Sequence, residues 1–127
     1  MRAAELADSV IEAVRGWEDI AETPHRFGGE EFKWGRVEIG HVHRQGFVDV
    51  PFPGKIRDQL VVSGIAKKHH FLPDSGWVTL DLRNDTDAEK AIELLRLSWD
   101  LKRSRREVEP AIQERIHEAL TSLGLKV

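Results

Sequence analysis

Cysteine is absent from the 127-residue chain. That excludes disulfide frameworks, Cys-ligated zinc, iron–sulfur clusters and thiol nucleophiles together. Long apolar runs are missing too: nothing approaches the roughly 18–20 consecutive apolar residues of a membrane span. The opening MRAAELADSVIEAVRGW carries acids in its first helix-like turns and no secretory hydrophobic region, so it reads as structure, not as an address label. Charge of one sign is scarce. Nineteen Lys and Arg stand against 22 Asp and Glu, a formal net charge of −3. With 40% hydrophobic residues spread along the chain, that balance rules out disorder. There is no Gly-rich phosphate loop, since Gly28-Gly29 precedes a strand, and no G-x-S-x-G nucleophile elbow. Repeats, linkers and low-complexity segments are lacking as well. The length suits one domain, residues 1–127, able to bury roughly two-thirds of its unfolded surface without metal or disulfide staples. A cytoplasmic, bacterial protein is the expectation, with no membrane association.

Periodicity supplies the elements. From Ala4 to Ala21, Leu6, Val10, Ile11, Val14, Trp17 and Ile20 recur at three- and four-residue steps, an amphipathic helix closed by Pro24. A β-rich stretch from Arg26 to Val50 follows, with turns at Gly28-Gly29, Gly35 and Gly46. Its strands are Glu31–Trp34, Val37–His43 and Phe47–Val50, the last ended by Pro51-Phe52-Pro53. Strict alternation puts Val37, Ile39, His41 and His43 on one face and Glu38, Gly40 and Val42 on the other. Lys55–Val62 reads as a short helix capped by Gly64, and Ala66–Gly76 as a loop. Trp77–Arg83 is a fourth strand. Asp85 or Thr86 caps a long core helix, with Glu89 completing a capping box to Thr86; its stripe is Ala88, Ile92, Leu95, Leu97, Trp99 and part of Leu101. Glu107 to Pro110 breaks it, and Pro110 opens a last helix with Ile112, Ile116, Ala119, Leu120 and Leu123 inward and Gly124 at its end. The expected fold is α+β, in the order α-β-β-β-α-β-α-α: one antiparallel sheet of about four strands with helices mostly on one face.

Two segments, RFGGEEFKWGRVEIGHVHRQGFVDVPFP (Arg26–Pro53) and HHFLPDSGWVTLDLRNDTDAEKAIELLRLSWDL (His69–Leu101), together resemble the luciferase domain. That domain is named after the luciferase of bioluminescent fungi and also occurs as stand-alone bacterial proteins. The pairing of IGHVH, DVPFP, HHFLPDSGWVT and LLRLSW carries the likeness, over roughly residues 25–102, and HH-LPDSGW is its most specific part. The strand order and the ending GWVTLDL…LLRLSWDL are also similar, more loosely, to the YjbR-like double-wing fold. The resemblance implies an α+β domain. The fungal namesake oxidises a polyphenolic pyrone with molecular oxygen, while the bacterial relatives mostly have no assigned activity, so the fold transfers better than the reaction.

Histidine dominates the candidate chemistry. His41 and His43 lie two apart on a strand, so both imidazoles leave one face about 6.5–7 Å apart along the backbone. His70, or His69, with Asp74 joins them if the 69–76 loop folds back over the sheet. The group fits either a metal or a ligand pocket that exchanges protons. His41, His43, His70 and Asp74 are the catalytic candidates, with no metal expected and no cofactor specified by the sequence. Trp34, Phe47 and Trp77 are expected to form an aromatic wall for a flat conjugated ligand, with Ser75 at its polar edge, whereas Trp17 and Trp99 belong to the core. Leu72-Pro-Asp-Ser-Gly76 equally suits a plain tight turn. Asp49 and Asp81 are acids inside strands, unfavourable unless exposed or partnered; His43 and Arg83 are the partners considered, an exposed edge the simpler account. Lys102-Arg103-Ser104-Arg105-Arg106 is the one basic run, but net acidity and the helix dipole both argue against nucleic acid. The expected function is small-molecule binding in a His-lined pocket over the sheet, oxidative if the resemblance extends to the reaction. The alternatives are a non-enzymatic protein- or nucleic-acid-binding module, and a homo-oligomer through the C-terminal helix.

Overall fold

Helix α1, Ala3–Arg15, buries Leu6, Ala7, Val10, Ile11 and Val14 in one stripe. It is shorter than the apolar spacing predicts. Gly16 caps it through a backbone bond to the Val14 carbonyl, and Asp19, at φ 66°, turns the chain into strand β1, Ile20–Pro24. Ile20 continues the helical stripe by spacing alone, yet it is held by pairing, opposite Trp34 of the next strand. Proline is tolerated at the end of β1 because an edge strand needs no donor there. The computed structural model describes residues 2–24, 28–107 and 109–126. The start of the expected β-rich stretch at Arg26, and Val108 in the break before the last helix, lie outside the described residues.

The described residues form a single sheet of six strands rather than about four, in the order β1-β2-β3-β4-β6-β5, antiparallel throughout. β2 is Glu30–Trp34, β3 Val37–His43 and β4 Phe47–Pro51. β5, Lys67–Lys68, lies on the far edge against β6, Trp77–Asp81. The two strands missing from the expected order are therefore the two edges. β1 was hidden in a helical pattern, and β5 is too short to show any period.

Strict alternation also fails inside β3. Phe32 pairs with Gly40 while Lys33 pairs with Glu38, so Ile39 is an extra residue, a β-bulge. The bulge rotates Glu38 onto the face of His41, with which it shares a hydrogen bond, and leaves Ile39 fully buried in the core.

Between β4 and β6 lies α2, Gly54–Val62, with Ile56 and Leu60 inward; Gly64, at φ 79°, follows its cap Ser63. α3, Asp85–Ser104, is capped by Asn84, one residue before the expected Asp85 or Thr86. Asn84 Oδ1 accepts from the Asp87 N–H at 2.9 Å, and Asp87 reaches back to the Arg83 N–H at 2.9 Å. Asparagine is among the best N-cap residues, so it takes the position ahead of Asp85 or Thr86. α3 also buries Ala91, Leu94 and Ser98 beyond the expected stripe, because it is covered by the sheet on one side and by α1 and α4 on others. α4, Pro110–Ser122, begins with Pro110 as expected and buries Ile112, Ile116 and Leu120.

These elements give the sheet two unlike faces. Val42, Val48, Val50, Val78 and Leu80 face α1 and α3 in one apolar cluster. Gly40 lies so close under α3 that a Cβ there would sit 2.4 Å from Leu95 Cδ2 and 2.9 Å from the Asp49 carbonyl oxygen. Residues of opposite parity on β4 and β6, with His41 and His43 of β3, point away from the helices. No helix of the described residues is long and apolar enough to cross a membrane.

Candidate functional site

Cross-strand register assembles the site. His41 of β3, Asp49 of β4 and Thr79 of β6 are directly opposed partners across three neighbouring strands. Asp49 is 1% exposed. Its Oδ2 accepts from His41 Nε2 at 2.9 Å and His43 Nε2 at 3.0 Å, and its Oδ1 accepts from the Thr79 hydroxyl at 2.5 Å. His69, from the segment after β5, brings a third imidazole, its Nε2 3.4 Å from the same Oδ2. The exposed-edge account of Asp49 is overturned: it is a buried carboxylate, and the partner considered for it, His43, is one of several. Asp81 is half-buried and pairs with Lys67 at 2.8 Å, not with Arg83, which bonds Asp87.

These bonds set the charges. Burial would push His41 down, but its hydrogen bonds to Asp49 and, through Nδ1 at 2.7 Å, to Glu38 outweigh it and raise the imidazole to about 9. Burial likewise opposes the Asp49 carboxylate, yet the donors His41, His43 and Thr79 hold it well below the usual carboxylate range. At neutral pH the floor is thus an imidazolium clamped between two carboxylates. His69 goes the other way: burial lowers it, with Asp49 only partly opposing.

The His69 tautomer follows from its neighbours. Its Nδ1 accepts the backbone N–H groups of Phe71 at 3.1 Å and Leu72 at 3.2 Å. The Nδ1 lone pair is therefore occupied, and the ring proton sits on Nε2, facing Asp49. This bears on metal binding. His41, Asp49 and His69 offer ligand atoms within 4.8 Å of one another, the one such group among the described residues. A neutral imidazole that ligates through Nε2 carries its proton on Nδ1. On His69 that proton would point at two N–H donors, which sets the ring as it stands toward sharing its Nε2 proton with Asp49.

Above the cluster opens a pocket of about 470 Å³. Its walls are rings: His43 stacks on Phe47 at 4.1 Å, His69 on His70 at 4.6 Å, and Trp77 tilts over His41 at 5.1 Å. Phe71 and Leu72 form the outer lip, 77% and 51% exposed, and Gln45 adds a polar group. Because the Asp49 cluster turns its polar hydrogens inward, the surface offered to a ligand is mostly carbon.

Of the residues singled out from sequence, the structure brings His41, His43, His70, Phe47 and Trp77 into this pocket. Three lie elsewhere. Asp74 is exposed on the turn after the pocket segment. Ser75 Oγ donates to the Leu72 carbonyl at 2.7 Å and accepts the Trp77 N–H at 3.2 Å, so it fastens the turn. Trp34 has the parity of the buried Phe32, two residues before it, and packs on the helix-side core with the Arg106 guanidinium 5.4 Å from its ring. Sequence reasoning missed Glu38, Gln45, Phe71, Leu72 and Thr79 as site residues. The bulge concealed the first; no signal marks the others. Trp17 and Trp99 stack at 5.8 Å, away from the pocket, Trp99 buried and Trp17 packed against the core.

Residues 36–98 match the family model described as the Luciferase domain. Every residue lining the pocket, with Glu38 and Thr79, falls inside the matched segment. No curated protein and no solved structure matches the chain.

Proposed function

We propose that this chain binds a flat, largely apolar molecule in the pocket over the sheet, ring inward and polar edge toward Gln45 and His70. One observation carries the reading: seven aromatic or imidazole side chains, those of His41, His43, Phe47, His69, His70, Phe71 and Trp77, converge on one cavity of about 470 Å³. That size suits a small conjugated ligand, and ring faces offer stacking at low entropic cost.

Among the pocket imidazoles, His41, His43 and His69 are bound to Asp49. His70 makes ring contacts with Phe47, His69 and Phe71 and stands at the mouth. It is the residue we assign to proton exchange with an acidic phenol or enol. His41 and His43 then act as positioning residues: they hold the floor with Asp49 and are not the base. Deprotonation of an electron-rich ring is the first requirement for direct attack by dioxygen, the chemistry that the fungal namesake suggests. Cytoplasmic placement, a bacterial source and a YjbR-like relationship belong to the same proposal.

A panel of planar phenols and hydroxylated pyrones, screened by thermal shift, tests the reading. Stabilisation by at least one class, reduced in Phe47→Ala, supports it. A flat response to the whole panel, or stabilisation indifferent to Phe47→Ala, would sink it. His70→Gln should preserve binding while raising the pH at which the bound phenol ionises, read from its absorption.

A further inference from the structure

We infer that His69 is a latch that holds the pocket's outer lip closed while its Nδ1 is bare and lets go when that nitrogen takes a proton. The geometry is direct. Nδ1 receives the N–H groups of Phe71 and Leu72, the two residues that form the lip. Protonation there turns an acceptor into a donor facing two donors, and both hydrogen bonds are lost together. Phe71 and Leu72 are themselves largely exposed, so little apolar burial holds them down once the bonds are gone.

The groups around the ring set the direction. From β4, Asp49 faces Nε2 at 3.4 Å and favours the charged form. From β3, the His41 imidazolium opposes it, as does His70 on the same segment; Trp77 of β6 contributes only a ring face. Asp49 already serves His41, His43 and Thr79, and burial weighs most, so the neutral form is favoured in the closed lip. A histidine lowered in the closed state favours closure above its ordinary value of about 6.5 and loses that preference as the pH falls below it. The lip therefore opens on acidification. That opening admits or releases a ligand is the part that rests on the proposed function; the latch itself does not.

Amide hydrogen exchange of Phe71 and Leu72, corrected for intrinsic rates, tests the latch without any ligand. Between pH 8 and pH 5 both amides should lose protection together, by roughly thirty-fold if each bond is worth about 1 kcal/mol. In the same titration ¹⁵N spectra should show His69 Nδ1 unprotonated at pH 8. His69→Asn separates the latch from a general acid effect. Its Oδ1 takes the place of Nδ1 and still accepts both N–H groups, but does not titrate, so protection should persist to pH 5. His69→Ala should be unprotected at every pH. Unchanged protection in the wild type across this range, a proton on Nδ1 at pH 8, or the same acid loss in His69→Asn would each overturn the latch. None of these outcomes depends on whether a planar phenol binds.

Discussion

Asp49 is the residue on which the site turns. A carboxylate 1% exposed inside a strand is stable only because three side chains donate to it and a further imidazole faces it. Replacing it with Asn leaves the His41 imidazolium with one carboxylate instead of two. Breaking a buried ion pair from one side costs about 3 kcal/mol. Urea denaturation of Asp49→Asn should show a loss of that order, and a neutral result would mean the cluster is ornamental to the fold. His41 makes a pH prediction of its own. A histidine raised from 6.5 to about 9 by folding adds stability that is fully present below 6.5 and lost as the pH rises through about 9. Urea midpoints of the wild type should therefore fall between pH 6.5 and 9.5 by more than those of His41→Gln; parallel curves would contradict the assigned charge. Asp49 was conspicuous in sequence as a strand acid that needs a partner. Its burial was not, because burial depends on which strands flank it and on what the loop after β5 lays across it. Glu38 was invisible for a different reason: period-2 alternation places it on the wrong face, and only the unpaired Ile39 corrects that.

At the scale of elements, the bulge in β3 and the helix above it are one device. Gly40 lets α3 approach the sheet, and the extra residue beside it turns Glu38 toward His41. Gly40→Ala forces a methyl group into contact with Leu95 and the Asp49 backbone, an overpacking that costs roughly 1–3 kcal/mol. The melting temperature should drop by several degrees. Leu95→Ala should cost less in the Gly40→Ala background than in the wild type, and strictly additive losses would mean that the backbone contact dominates. The central strands and the long helices were legible in sequence because their apolar residues repeat over many positions. β1 was not: Trp17 and Ile20 lie three apart, as in a helix, and only Gly16 and the left-handed Asp19 end α1. The basic run is also explained at this scale. Lys102 donates to Ser98 Oγ and the Pro51 carbonyl, and burial pushes its ammonium down to about 8. Arg103 caps the Trp99 ring and bonds Asp100, and Arg106 lies over Trp34. Much of that run is joined to the fold.

Across the whole molecule, helices occupy one face of the sheet and leave the other for the pocket. The C-terminal helix belongs to the covered side. Ile112, Ile116 and Leu120 are buried against the rest of the chain, and Arg115 reaches the buried Asp100 of α3 at 3.4 Å. Truncation before Glu109 should therefore cost folding itself and expose α3, a result that circular dichroism would read directly. A folded truncated chain that loses only the helix content of α4 itself would contradict this assignment. With no cysteine in the chain, the ionisable side chains lining the pocket are histidines and Asp49. The fold gathers three His, one Asp and one Glu under one pocket inside the matched Luciferase segment. The most direct test of the account is calorimetric titration of a planar phenol into the wild type and into Trp77→Ala. One site per chain, weakened about tenfold or more by the loss of the ring that tilts over His41, is the predicted result. Equal affinity in the two proteins, or no heat in either, would contradict it.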